Sequence, residues 1–80
     1  MNPRVIAVEA MNNHFLKLSF ENNEIKFFDA SPFLDKGIFK ELQDDHYFKQ
    51  ASVAFGSVEW PHEQDFSYDT LYLLSESVAS

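Results

Sequence analysis

The run GSVEWPHEQDFSYDTLY, Gly56 to Tyr72, gathers the chain's single Trp with His62, the carboxylates Glu59, Glu63, Asp65 and Asp69, and the phenols of Tyr68 and Tyr72. Nitrogen and oxygen donors this close together could ligate a metal, and two carboxylates in one pocket could divide acid and base roles. Neither pattern is completed. The helical His-Glu-x-x-His spacing is absent, His14 and His46 fall in other segments, and the run lacks the alternating oxygens and central Gly of a calcium loop. No spacing selects two of the carboxylates as a pair. There is no Gly-x-Ser-x-Gly elbow, and Gly37 and Gly56 cannot build a loop that cradles phosphate. The expectation is a protein that is not an enzyme and carries no cofactor and no metal.

The same residues read more fully as a structural clasp made of Trp60, Pro61, Asp65, Asp69 and Tyr72. Pro61 stops a strand because it has no N–H for the ladder, and the Trp60 indole can bury its face while Nε1–H finds an acceptor. Asp65 is expected to accept backbone amides in the turn that follows. Ser67 or Asp69 is expected to cap a short last helix over Asp69–Leu74, with Leu71, Leu74 and Tyr72 turned inward.

The elements that would hold this clasp follow from hydrophobic period and turn chemistry. Arg4–Met11 alternates and is rich in β-branched residues; His14–Phe20 places Leu16, Leu18 and Phe20 on one face; Ile25–Asp29 pairs back. Asn12-Asn13 and Glu21-Asn-Asn-Glu24 are turn signals, and such short connections require antiparallel pairing. The resulting three-stranded meander needs a cover, which Phe33 to Phe48 supplies. Leu34, Ile38 and Leu42 recur every four residues with Phe39 beside them, Ser31 can cap and Pro32 fits a first turn. Gly37 weakens a helix there, so the reading prefers a start near Gly37 and a further helical turn from Asp44 that seats Tyr47 and Phe48 on the sheet. Ala51–Phe55 and Ser57–Trp60 flank Gly56 as a second hairpin or one bent strand. The fold class is α+β, an antiparallel three-stranded meander, covering helix, second short hairpin and short C-terminal helix, β-β-β-α-β-β-α.

Composition sets the outer limits. The 80 residues form one domain, 1–80, ordered over about 3–74 with Ser75 to Ser80 fraying. A chain this short buries about 60% of its unfolded surface, so a deep cleft would remove core that nothing replaces. There is no Cys, and nine Phe, three Tyr and one Trp must supply the packing. No secretory or spanning segment is recognised at the start, which reads as cytoplasmic with no membrane association. The net charge of −7 is one-sided: residues 1–40 hold five basic and five acidic side chains, whereas 41–80 hold Lys49 against eight carboxylates. Such a half cannot neutralise phosphates, so direct nucleic-acid binding is not expected.

Particular strings carry a resemblance. Gly56-x-Val58-x-Trp60-Pro61-x-x-x-Asp65-x-x-x-Asp69-x-Leu71-Tyr72, with Phe20-x-Asn22-x-Glu24, Phe28-Asp29 and Gly37-x-Phe39-x-x-Leu42-x-Asp44-x-x-x-Phe48 upstream, is similar to the signature of domain of unknown function 2442, the DUF2442 family. The match runs from Pro3 to Tyr72. The family usually shows a Trp-Pro-Asn-Gly turn and a Pro just before Asp-Thr-Leu-Tyr, where this chain has His62-Glu63 and Ser67-Tyr68. The resemblance implies a bacterial α+β domain, often encoded beside a small partner in toxin–antitoxin-like pairs and sometimes fused to a helix-turn-helix. It brings no catalytic residues. The chain has no room for a helix-turn-helix, so operator binding does not carry over.

Two functions are open at this point. One is a protein-interaction module, the acidic antitoxin-like member of a gene pair, docking a small partner with a basic surface through Glu41, Asp44, Asp45, Glu59 and Glu63. The other is a small-ligand sensing domain with a pocket between sheet and helix lined by Phe27, Phe39, Phe48, Trp60 and Tyr72. A homodimer through an exposed edge at Arg4–Met11 is a further possibility.

Overall fold

The computed structural model describes residues 2–77. Strands β1 (Val5–Ala10), β2 (Phe15–Phe20) and β3 (Ile25–Asp29) form the expected antiparallel meander. Its inward side chains Leu16, Leu18, Phe20 and Phe28 are fully buried, as the alternation requires. In β1 the alternation changes phase. Val5 lies opposite Phe20 and Ala7 opposite Ser19, so Ile6 is an extra, bulged residue; Val5 is buried, Ile6 stands out, and Val8 and Ala10 pack inward.

The cover is not one helix. A 3-10 turn at Ser31–Phe33 and a second 3-10 stretch at Gly37–Gln43 precede α1 (Asp45–Phe48). Lys36 is extended and Gly37 takes φ 48°, so no α-helix can pass through, and the later start is correct. The four-residue stripe is corrected at Ile38, which is 64% exposed. With three residues per turn, Phe39 and Leu42 fall on the inner side and Ile38 on the outer. Ser31 is not a cap; its N–H and hydroxyl both donate to Asp29 Oδ1, at 3.0 and 2.6 Å. Asp44 caps α1 by accepting from the His46 N–H at 3.0 Å, and Tyr47 and Phe48 are buried as expected.

Strands β4 (Ser52–Ala54) and β5 (Ser57–Glu59) make the second hairpin about Phe55-Gly56, both at positive φ, 53° and 81°. This is the two-residue primed turn that matches strand twist. A short β6 (Asp65–Phe66) extends the sheet to β4-β5-β6. Helix α2 (Tyr68–Leu74) is followed by β7 (Glu76–Ser77), which pairs with Lys26 and Phe27 of β3. The fraying expected from Ser75 is therefore corrected through Ser77; its remainder, 78–80, lies outside the described residues. Leu71 is buried in α2, but Leu74 is 56% exposed, because the helix ends there and the chain turns to join β3.

One core lies between the two sheets and under the 3-10 cover. Phe66 touches Phe28, Phe33, Phe39 and Trp60 at ring separations of 4.9–5.9 Å, which ties both sheets to the cover.

Candidate functional site

Two hairpins share one turn geometry. At Phe20–Glu24 the Phe20 N–H meets the Glu24 carbonyl, the Asn23 N–H meets the Phe20 carbonyl, and Asn23 has φ 72°. At Trp60–Gln64 the same bonds recur, 2.9 and 3.1 Å, with Glu63 at φ 76°. Both are three-residue loops whose last residue must be left-handed. Asn tolerates that conformation. Glu63 stands at the left-handed position that Gly fills most easily and keeps the turn under strain.

Each hairpin end is fastened by a tyrosine hydroxyl. Tyr72 of α2 donates to Glu24 Oε1 at 2.6 Å, Asn22 donates to the same oxygen, and Lys26 Nζ sits 4.0 Å from the Tyr72 ring centroid while donating to its carbonyl. Those bonds, the Tyr72 one foremost, hold the Glu24 carboxyl below its usual range; the same bond raises the Tyr72 phenol. Tyr47 of α1 donates to Gln64 Oε1 at 2.6 Å and accepts from the His62 N–H at 2.7 Å. Gln64, 2% exposed, spends its amide N–H groups on the Ile38 carbonyl and Glu41 Oε1. Glu41 also meets His62 Nδ1 at 2.7 Å, and His62 stacks on Tyr47. The Gln64 bond, followed by His62, lowers the Glu41 pKa.

The clasp residues therefore divide. Trp60 is buried and its Nε1–H donates to the Phe48 carbonyl at 2.9 Å; Pro61 opens the turn; Tyr72 fastens the first hairpin. Asp69 does not cap α2. Ser67 does, accepting from the Thr70 N–H, and Asp69 instead accepts from Asn2 Nδ2 at 2.9 Å. Asp65 accepts no amide among the described residues; it is exposed in β6 directly across from Glu59 of β5. Tyr68 takes the first helical position: its N–H donates to Ser57 Oγ, and its ring lies 4.9 Å from the Arg4 guanidinium carbon. Tyr47, Gln64 and the His62–Glu41 pair escape sequence reasoning, since partners 17 and 21 residues apart leave no local spacing to read.

The candidate docking carboxylates divide too. Glu41 is turned to Gln64 and His62, Asp44 caps α1, and Asp45 pairs with Lys49 at 3.1 Å. Glu59 and Glu63 remain exposed and, among the described residues, in no ion pair; Asp65 joins them. Ser52, Glu59 and Asp65 form one cross-strand row on the solvent face of β4-β5-β6, while Val58 and Phe66 alternate into the core. Like charges directly across a ladder oppose folding by about 0.2–1 kcal/mol.

The pocket expected from Phe27, Phe39, Phe48, Trp60 and Tyr72 is corrected. Phe28 occupies the inner face of β3, so Phe27 lies on the opposite face between Lys17 and Glu76, and Phe48 and Trp60 are packed ring against ring in the core. Instead, a shallow hollow of about 200 Å³ lies along β1, lined by Ala7, Val8, Glu9, Lys17 and Ser19. Among the described residues no three His, Asp or Glu side chains gather as a metal site, and no helix is long and apolar enough to cross a membrane.

A small α+β domain, with two antiparallel sheets closed over one aromatic core and a carboxylate row on its outer hairpin, is the class of protein these features define. The chain belongs to the family of proteins of unknown function DUF2442, whose model matches residues 5–77. Searches of curated proteins and of solved structures give no significant match.

Proposed function

We propose that this domain is a non-catalytic protein-interaction module that docks a small basic partner through the face carrying Glu59, Asp65 and Glu63, in the manner of an acidic antitoxin-like protein. The observation that supports this reading is the Glu59–Asp65 pair. Two carboxylates sit directly across a ladder with no Lys or Arg between them, an arrangement that opposes folding and is relieved when a cation approaches. The excess of carboxylates over residues 41–80 adds a long-range field that steers a basic surface toward this hairpin.

Co-expression with the product of the adjacent gene, followed by size-exclusion chromatography at low salt, tests the reading. A single peak that separates as salt rises is expected, and Glu59→Lys with Asp65→Lys should abolish it. Two peaks at micromolar concentration and low ionic strength, or a complex indifferent to both reversals, would overturn it.

A further inference from the structure

Phe55 holds a position that the fold does not use. It leads the two-residue turn between β4 and β5 at φ 53°, where Asn is a favoured residue, and its side chain is almost wholly in solvent. A lone exposed apolar side chain is ordinary on a protein surface. A bulky aromatic in the left-handed region is not, because its Cβ crowds the following carbonyl there.

The tip that carries this ring is fastened on its other side. The Gly56 carbonyl accepts from the Val5 N–H at 2.8 Å, and the Phe55 carbonyl accepts from Arg4 Nη1 at 3.3 Å. The Arg4 side chain runs so close to Gly56 that no Cβ fits between them, and its guanidinium lies over the Tyr68 ring. These contacts hold the backbone of the turn and leave the Phe55 ring outside. Val53 and Ile6 adjoin it and are exposed as well: Val53 is two residues back on β4, and Ile6 follows Val5 on β1, against which β4 packs.

We infer that Phe55 is the aromatic anchor of the docking surface, received by an apolar socket beside the cationic surface of the basic partner. The inference rests on the docking reading above and identifies the contact that holds the complex once charge has brought it together. Charge and distance select this occupant. Glu59 is four residues from Phe55, at most about 14 Å of extended chain, and Asp65 lies directly across from Glu59. An interface of about 800 Å² per partner is about 30 Å across, so ring and carboxylates share one footprint. An anionic lipid surface would be repelled by the same carboxylates and by the net charge of −7, and a second copy would bring an acidic hairpin against this one. On this division the carboxylates steer and are screened by salt, whereas the buried ring contributes an apolar contact that salt barely alters.

Isothermal titration calorimetry of the full chain with the product of the adjacent gene, at low and at moderate salt, tests this. Phe55→Asn suits the turn, so it folds, and it should weaken the complex by about 30- to 800-fold, by the same factor at both salt concentrations. A complex that Glu59→Lys with Asp65→Lys abolishes but Phe55→Asn leaves unchanged would overturn the anchor and leave the docking reading standing. A complex lost with Phe55→Asn yet indifferent to both charge reversals would support the anchor and overturn the docking reading. No complex with the parent chain would overturn both. Sedimentation equilibrium of the parent alone, and its partition onto phosphatidylcholine vesicles, test the other occupants: a dimer or a vesicle-bound form that Phe55→Asn abolishes would assign the ring to a second copy or to lipid and overturn the inference.

Discussion

Phe55 is a bulky aromatic held at φ 53° and 93% exposed at the tip of the β4–β5 hairpin. The left-handed region opposes an L-residue by about 1–2 kcal/mol, and Asn visits it more readily because its short polar side chain bonds locally. Against this, the Phe55 ring gains little by being where it is. Covering less than a tenth of a side chain that buries about 200 Å² at most is worth about 0.4 kcal/mol at about 25 cal/mol/Å². Phe55→Asn should therefore stabilise the protein by about 0.5–1 kcal/mol, which in a domain of this size raises the thermal midpoint by about 2–8 °C.

Urea unfolding followed by Trp60 fluorescence measures the change, with the midpoint rising and the slope constant. The neighbouring position supplies the opposite sign. Gly56 has φ 81°, and a Cβ there would lie 2.7 Å from Arg4 Cβ and 2.8 Å from its Cγ, so Gly56→Ala should destabilise by about 1–2 kcal/mol. A Phe55→Asn protein that unfolds at lower urea than the parent would refute the reasoning, because it would mean that the ring holds something down in the folded state.

Other consequences can be measured in the same way. Leu42→Ala should cost about 2–5 kcal/mol of unfolding free energy, whereas Ile38→Ala should change it by less than about 0.5 kcal/mol, both read from urea unfolding; equal effects would contradict the 3-10 path of Gly37–Gln43. Glu63→Gly should stabilise by a few tenths to about 1 kcal/mol by relieving the left-handed strain, and a loss of stability would show that the Glu63 side chain bonds in the turn. Glu24 and Glu41 both have depressed pKa values, so their bonds contribute fully above about pH 4.3 and are lost as pH falls through the lower folded values. Tyr72 has the opposite sense: its raised pKa gives stability that is intact below about pH 10 and lost as pH climbs through the folded value. Chemical unfolding across pH should show both losses, and Glu24→Gln should diminish both together.

The meander could be read from sequence because Leu16, Leu18 and Phe20 alternate over a full strand and Asn-Asn marks the turn, signals that need no tertiary partner. The bulge at Ile6 has no such mark: in Val5–Ala10 both phases of the alternation are apolar, and packing against β2 decides between them. Ile38 misleads for a related reason, since Leu34, Ile38 and Leu42 fit a helical period that the break at Gly37 cancels. Strands of two residues, β6 and β7, are too short to show any period. Within the site, Trp60 and Tyr72 were legible as fasteners because each joins a large apolar face to one polar atom. Asp65 departs from the turn-acceptor role its sequence position suggests, because a carboxylate near a turn looks the same in sequence whether it faces an amide or another carboxylate.

The carboxylate row is presented rigidly, and this bears on how it would act. Its strands bury Val58 and Phe66 on the reverse face, and the turn joining them is fastened through Tyr47, Gln64 and the Trp60 indole. A partner meeting Glu59 and Asp65 would find their backbone already ordered, so little ordering entropy remains to oppose association. The row is also separable from the fold. Both side chains leave the core untouched, and Glu59→Lys with Asp65 retained replaces a repulsive cross-strand pair by an attractive one. That single reversal should therefore raise the stability of the isolated domain slightly while weakening its hold on a basic partner. Lower stability and weaker binding together would instead mean that these carboxylates serve the fold, and the docking surface would have to be sought elsewhere on the molecule.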